Sequence, residues 1–402
     1  MKIVFVANFH APLDGLLTGR FVFLGEMLCR RGHDVELVVS DFYHDTKSPR
    51  VVESDKYATK ITVLHEPAYH RNVSLRRLHS HWSFGRCAAR YVRSLQGVDC
   101  IYCGMPALSS TYYMVRIADE RNIPLIVDVQ DLWPDAFELA LPHPALKFLL
   151  APMRYMARYA YRHADCVMGV SHTYVRRALS ENRKHAEGVA VYLGNNGKAF
   201  EEGRRLYHLE RTPHEIVLAY IGSMGFSYDI AHVLEALQRV AQRGRVEKAI
   251  RFVLMGGGEK EEQLRQLAAE IYPNTLFLGR KPYREMAGLL SDCDMAINPI
   301  VKNSQGSIIN KVGDYALAGL PVINSQDCPE YRDLLDRYAC GINCRCENVD
   351  DMAEAIERLA MDDSLRKEMA ANAARLGKEK FDRNVTYQPI IDTIERLVKT
   401  HK

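Results

Sequence analysis

Short apolar runs alternate with amphipathic helical stretches from the first residues of this chain, and the alternation starts afresh near residue 215. An unbroken run such as "KIVFVAN" suits a strand buried on both faces, as in a parallel sheet, with the intervening helices as its covers. "DVELVVS", "KITVLHEP", "VDCIYCG", "PLIVDVQD", "ADCVMGVS" and "GVAVYLGNN" read as further strands of that sheet. The first helix takes Thr18 as its cap, lines one face with Phe21, Leu24 and Leu28, and stops at Gly32. "EIVLAYIGSMG", "IRFVLMGGG", "TLFLGR", "DMAINPI" and "PVINS" repeat the scheme. Between the two sets, "NNGKAFEEGRRLYHLERTPHE" is polar and turn-rich and reads as a linker. The expected fold is α/β, two doubly wound Rossmann-like domains facing across a cleft, with ligands at the carboxyl ends of the strands.

Composition narrows the function. With 47% apolar and 26% charged residues, the 402-residue chain can bury a core in each of two domains, which excludes disordered and collagen-like classes. No run reaches the roughly eighteen apolar residues of a membrane span, and the first apolar run is too short for a secretory leader. A cytoplasmic chain with reduced thiols is therefore expected. Cys100 and Cys103 stand three apart on a strand, hence on opposite faces, and Cys340, Cys344 and Cys346 lack a fourth ligand nearby, so no metal is expected. The net charge of +3 is mild and no nucleic-acid-binding motif is present, so nucleic acid is not an expected partner.

That mild total conceals an asymmetry. The first 198 residues hold six more basic than acidic side chains, and the rest hold three fewer. Residues 67–98 and 139–164 contain no acid at all. In the second stretch Arg154, Arg158 and Arg162 recur every four residues, one stripe of a helix. Such a stripe suits an anionic membrane surface, and it equally suits a solvated basic face over an ordinary core.

Neither G-x-x-x-x-G-K-[ST] nor G-x-G-x-x-G occurs after a strand, which argues against P-loop and dinucleotide-dependent enzymes. Gly222 and Gly225 in "YIGSMG", and Gly256, Gly257 and Gly258 in "LMGGGEKEE", stand at strand exits. There they either admit a ligand to the backbone or only form turns. In "GSIINKVGDYALAGLPVINS" a helix starting near Ser307 directs its positive end forward, and Lys311 adds a full charge, an arrangement that fits a diphosphate. Asp314, two turns in, can accept from ribose hydroxyls. The plainer alternative is an aspartate that stabilises the helix start beside a solvated lysine.

Taken with "RRGHDVELVVS", "DVQDLWPDAF", "VLMGGGEKEEQL" and "LFLGRKPYREMAGLLSDCDMAINPI", in this order and spacing, the chain resembles the GT-B glycosyltransferases related to the retaining family-four enzymes. The likeness is strongest to the bacterial polysaccharide and lipid-linked-sugar branch, and it covers nearly the whole length. The resemblance implies an N-terminal acceptor-binding domain (1–198), a nucleotide-sugar-binding domain (199–385) and a C-terminal helix (386–402) that returns to the first domain. It implies a hexosyl-type transferase that moves a sugar from a nucleoside-diphosphate sugar to a glycan hydroxyl with retention, with no cofactor beyond the donor.

The site residues follow from the same resemblance. Gly222, Ser223 and Gly225 fall near the donor phosphates, Gly256, Gly257, Gly258 and Arg280 near the base, and Asp314 on the ribose, with Gly306 and Ser307 at the mouth and Lys311 neutralising the leaving diphosphate. Many relatives carry an acid where Gly306 stands and an Arg and Lys pair where Ser223, Ser227 and Tyr228 stand, which leaves Lys311 and Arg280 with the phosphate charge. In the first domain Gly15, Gly19 and Arg20 lie in the loop after the first strand and face the donor. Asp131 contacts the acceptor, with Gln130 where relatives often have His. The implied acceptor is a polyprenyl-diphosphate-linked glycan at the inner face of a bacterial membrane, in cell-surface polysaccharide synthesis. Asp292 and Asp294 form a D-x-D at a helix end and read as structural. Two alternatives stay open: a nucleotide-sugar epimerase using His10, His172 and Asp131, and a catalytically silent sugar-nucleotide-binding scaffold.

Overall fold

The computed structural model describes residues 1–8, 19–44, 46–49, 56–71, 74–140 (backbone alone for 138–140), 148–302 and 308–401. The chain forms two compact units, Met1–Leu193 with Tyr387–Lys402, and Gly194–Thr386.

In the first unit the main sheet has strands β1 Lys2–Ala7, β2 Asp34–Ser40, β3 Lys60–Leu64, β4 Cys100–Met105, β5 Leu125–Val129, β6 Cys166–Gly169 and β7 Glu187–Ala190. All pairings are parallel, in the order β3-β2-β1-β4-β5-β6-β7. The winding direction reverses between β1 and β4, which opens a crevice beyond their carboxyl ends. Helices α1 Arg20–Arg30, α2 Leu75–Ser94, α3 Leu108–Arg121 and α4 Ala151–His163 cover the sheet. Alternate strand residues go to different cores: Val4, Val6, Ile101 and Cys103 pack with α2, α3 and α4, whereas Ile3, Phe5, Cys100 and Tyr102 pack with α1 and the terminal helix Gln388–His401. Cys100 and Cys103 thus face opposite ways, as their spacing requires. Gly19 is the N-cap of α1, and the expected cap, Thr18, lies outside the described residues.

The second unit repeats the design with β8 Glu215–Ser223, β9 Ala249–Gly257, β10 Thr275–Gly279, β11 Met295–Asn298, β12 Val322–Asn324 and β13 Gly341–Asn343. The sheet order is β10-β9-β8-β11-β12-β13, reversing between β8 and β11. The edge strand β13 escapes the sequence reading because three residues between cysteines carry no period. Its helices include α5 Gly197–Leu206, α6 Ile230–Arg243, α7 Glu261–Ile271, α8 Tyr283–Ser291 and α9 Lys311–Ala318.

Two expectations change here. The segment read as a linker contains α5, which packs on α8: a Cβ on Gly203 would come within 2.2 Å of the Arg284 carbonyl oxygen, and one on Gly288 within 2.4 Å of that of Tyr207. Glycines that look like turn signals are the points where two helices touch. The D-x-D ties this segment down, with Asp292 accepting from the Leu209 N–H (2.9 Å) and Asp294 from Arg211 Nη2 (2.5 Å). The helix expected from near Ser307 begins instead at Lys311, because Ile308 to Asn310 are not helical. Two consecutive β-branched residues weaken a helix start. Asp314 therefore sits in the first turn of α9.

Candidate functional site

The exits of β8 and β9 in the second unit interlock through glycine. Gly222 (φ 116°) and Gly256 (φ 153°) are register partners, and a Cβ on Gly256 would stand 1.8 Å from the Gly222 carbonyl oxygen. Two strand exits in such contact leave no room for a side chain at Gly256. The Met224 N–H donates to the Gly257 carbonyl (3.0 Å), and Gly258 lies against the Met224 backbone. Gly225 has an ordinary φ, so its backbone alone does not demand glycine. The Arg280 side chain lies beside Gly257 and Glu261, and Ser223 is exposed at the rim. Gly306 and Ser307 lie outside the described residues.

Helix α9 brings Lys311 to these exits. Its buried tyrosine anchors it there, because the Tyr315 hydroxyl accepts from the Ile221 N–H (3.0 Å) and donates to the Ile297 carbonyl (3.1 Å). Lys311 is 7% exposed, and among the described residues its Nζ has no hydrogen-bond partner. The amine rests over the ring faces of Tyr220 (4.0 Å to the centroid) and Tyr228 (3.8 Å). A Cβ on Gly222 would lie 3.1 Å from it. Burial pushes its pKa well below that of an ordinary lysine. Two ring faces contribute about 0.5–2 kcal/mol each to a cation, less than the several kcal/mol that burying an unpaired charge costs.

Asp314, one turn on, faces another way. It is buried and accepts from the Tyr283 hydroxyl at 3.0 Å. Burial pushes its carboxyl up to about 7, against the lowering effects of Tyr283 and Arg383. Sequence reasoning overlooked Tyr220 and Tyr283; the signal available for Tyr220 is an aromatic residue two positions before a strand-exit glycine.

In the first unit the structure corrects the reading of Arg20. It lies not in a loop but at the opening of α1, is 4% exposed, and binds Asp128 through Nε (2.7 Å) and Nη2 (3.2 Å). Its Nη1 reaches the Val191 carbonyl and the Tyr387 hydroxyl, which in turn donates to the Leu193 carbonyl (2.7 Å). Burial disfavours the guanidinium charge, and Asp128 more than restores it. Arg20 therefore pins the terminal segment of its own unit. Gly19 caps α1, and Gly15 lies outside the described residues.

Asp131 follows β5 at the carboxyl edge of the sheet. Its carboxylate accepts from the Leu132 N–H (2.8 Å) and the Trp133 indole (2.9 Å), so its visible work is to orient Trp133. Burial raises its pKa. The Arg77 guanidinium lies 4.6 Å over the Trp133 ring, and His81 stacks on it at 6.2 Å. Burial, with Arg77 assisting, pushes His81 down to about 3, which keeps the imidazole neutral. At the same edge, where winding reverses, Glu66 accepts from Ser80 Oγ (2.7 Å) and Asn8 Nδ2 (3.4 Å), while Asn8 Oδ1 accepts from Ser110 Oγ (2.6 Å). Sequence reasoning passed over Glu66 and Arg77; an acid just past the end of a strand was the available sign.

The arginine stripe is half committed. Arg154, Arg158 and Arg162 line a shallow groove of about 280 Å³ with Tyr155 and Tyr159, but Arg158 and Arg162 meet Glu181 at 3.1 and 3.7 Å. Among the described residues no helix is long and apolar enough to cross a membrane.

Two sequence families match the chain: one described as "Glycosyl transferase 4-like domain" over residues 21–194, and one described as "Glycosyl transferases group 1" over residues 215–362. Alpha-D-kanosaminyltransferase from Streptomyces kanamyceticus is 24% identical over 307 residues, covering 67% of this chain and 69% of that protein. Among solved structures, Anabaena Alr3699/HepE in complex with UDP matches with a TM-score of 0.71 at 15% identity, over 98% of this chain and 100% of that one. The same protein in complex with UDP-glucose matches at 0.65 and 16% identity, with the same coverage. Sucrose-phosphate synthase from Thermosynechococcus elongatus matches at 0.70 and 16% identity, over 100% of both chains. At such identities these structures speak to the fold, a pair of Rossmann-like domains.

Proposed function

The chain belongs to the group 1 glycosyltransferases, and from that premise we propose that it moves a sugar from a nucleoside-diphosphate sugar to a hydroxyl of a glycan acceptor, with retention at the anomeric carbon. The observation that carries this reading is the buried amine of Lys311, which has no hydrogen-bond partner among the described residues, between two tyrosine rings at the glycine-lined exits of β8 and β9. A diphosphate in front of it would supply the anion. The donor is of the uridine diphosphate class, a choice supported by the UDP and UDP-glucose complexes of the Anabaena relative.

In this reading Gly222, Ser223, Gly225 and Lys311 hold the phosphates, and Gly256, Gly257, Gly258 and Arg280 flank the base. Asp314, with Tyr283, receives the ribose. Departure of the sugar leaves charge on the diphosphate, and Lys311 stabilises it where that charge develops. The leaving phosphate takes the acceptor's proton, so positioning rather than a strong base drives transfer. On the first unit Asp131, which orients the indole of Trp133, lies on the acceptor side. The acceptor is a lipid-linked glycan, which places the enzyme at the inner face of a bacterial membrane in cell-surface polysaccharide synthesis.

The test is calorimetric titration of UDP, GDP, ADP, CMP and dTDP, and of their sugar conjugates, into wild type and Lys311→Ala. Tight binding of UDP, weakened more than about tenfold in the variant, is expected. Absence of binding by any nucleotide would make the α9 site architecture only. Turnover of the bound nucleotide sugar should require an acceptor; turnover without one would identify an epimerase.

A further inference from the structure

We propose that Lys260, seated on the exposed ring of Phe226, is the second cation of the donor site, so that one lysine amine meets each phosphate of the diphosphate. The inference deepens the donor reading and rests on it. Charge balance calls for such a residue. A nucleoside-diphosphate sugar carries one negative charge on each phosphate, and departure of the sugar adds to it. Lys311 brings one positive charge and the N-terminus of α9 about half of another, which falls short of the bound donor and further short of the leaving diphosphate.

The chain after β8 places a second amine beside the first. It forms a turn, closed by the Tyr228 N–H donating to the Gly225 carbonyl (3.2 Å), with Phe226 and Ser227 at its centre. Both flanks of the turn are fixed. On one side the Met224 N–H donates to the Gly257 carbonyl (3.0 Å), and the Met224 carbonyl accepts from the Lys260 N–H (3.0 Å). On the other, the Ser227 carbonyl accepts from the Val301 N–H (3.2 Å), and the Asp229 N–H donates to the Pro299 carbonyl (3.2 Å). A turn held at both ends presents its tip in one place, and that tip carries Phe226, 68% exposed.

The Lys260 Nζ lies over that ring, 4.8 Å from its centroid. Two residues on, the Tyr228 ring carries the Lys311 amine at 3.8 Å. One short turn thus seats two lysines, one buried and one partly exposed. Neither charge is cancelled: among the described residues Lys260 and Lys311 form no ion pair, and Glu261, next in sequence to Lys260, is taken by Arg265 at 2.8 Å. A ring face holds a cation without neutralising it, so the charge stays available to an anion. The ring of Phe226 meets no other charged group or ring among the described residues. An apolar side chain left at a turn tip gains little from burial there, and its service to the site is to hold the Lys260 amine at the exits of β8 and β9.

The test is calorimetric titration of UDP and UMP into full-length wild type, Lys260→Gln, Lys311→Ala, Phe226→Leu and Phe226→Tyr, with melting temperatures as the control for folding. Lys260→Gln should melt with wild type and bind UDP about tenfold more weakly, with most of the difference gone in about 1 M salt. One amine per phosphate requires that Lys260→Gln and Lys311→Ala both lose UDP affinity while one of the two keeps UMP within about twofold of wild type. Phe226→Leu, which removes the seat, should weaken UDP about threefold, and Phe226→Tyr, which keeps it, should bind as wild type does. With Lys260→Gln already present, Phe226→Leu should cost nothing further. Full UDP affinity in Lys260→Gln, a like effect on UMP in both lysine variants, or additive losses from Lys260→Gln and Phe226→Leu would overturn the proposal. A wild type that binds neither nucleotide would overturn the donor reading and this inference with it, whereas a wild type that binds UDP beside an unaffected Lys260→Gln overturns this inference alone.

Discussion

Replacing Lys311 with methionine should move stability and ligand affinity in opposite directions. The wild-type lysine is 7% exposed, its amine is without a hydrogen bond among the described residues, and methionine offers a similar length of chain without the polar end. Removing a buried unsatisfied polar group stabilises by about 1–3 kcal/mol, so the unliganded variant should unfold at higher denaturant. Its pH dependence should change as well. Burial lowers the folded-state pKa below the 10.5 of a free lysine, so between that lowered value and 10.5 the unfolded chain binds more protons than the folded one. Wild-type stability should therefore rise with pH through that window, and the methionine variant should lack this rise. Affinity goes the other way. Charge-assisted bonds to a diphosphate contribute about 1.5–3 kcal/mol, so UDP should bind roughly ten- to a hundredfold more weakly to the variant. Calorimetry in two buffers of different ionisation enthalpy adds a third readout: wild type should take up a proton on binding UDP within the same window, and the variant should not. A variant that is less stable than wild type and binds UDP equally well would refute the reasoning and make Lys311 a packing residue.

Tyr228→Leu removes one ring face from the amine and should weaken UDP binding by up to about thirtyfold, whereas Tyr228→Phe, which keeps the face, should stay within about twofold by the same titration. Asp314, raised to about 7, makes the folded state hold more protons than the unfolded chain between about pH 4 and 7, so wild-type stability should fall as pH rises through that window, by on the order of 4 kcal/mol. Asp314→Asn should flatten the curve in urea melts at pH 5 and 8, and an unchanged slope would show that the carboxyl is not the titrating group. Arg20→Met leaves Asp128 charged and buried and should destabilise by about 3–5 kcal/mol, with Asp128→Leu added in the double variant restoring most of the loss; failure of that rescue would mean the pair is not the unit that matters.

Most of the strands were legible because a strand buried on both faces must be continuously apolar, as such runs as "KIVFVAN" and "EIVLAYIGS" are. β13 was not legible, since three edge residues need no pattern, and α5 was misread because its glycine does in a helix contact what glycine does in a turn. The glycines of the site were visible as strand exits, but their interlock was not: that Gly256 touches the Gly222 carbonyl depends on register between strands far apart in sequence. Arg20 shows the same limit. Its position after the first strand suggested a loop residue facing a ligand, and its partner, Asp128, comes from the middle of β5.

The sequence by itself determined the two repeated α/β units, the family and the small set of residues around which a donor site can be drawn, because periodicity and motif spacing are properties of neighbouring residues. Tertiary structure alone decided that the Lys311 amine is buried between Tyr220 and Tyr228 with no hydrogen-bond partner among the described residues, that Asp314 turns to Tyr283, and that aromatic residues of three helices come into contact. Those are pairings across the chain, and both the cost of burying a charge and the chance to share a surface exist only once distant segments have packed.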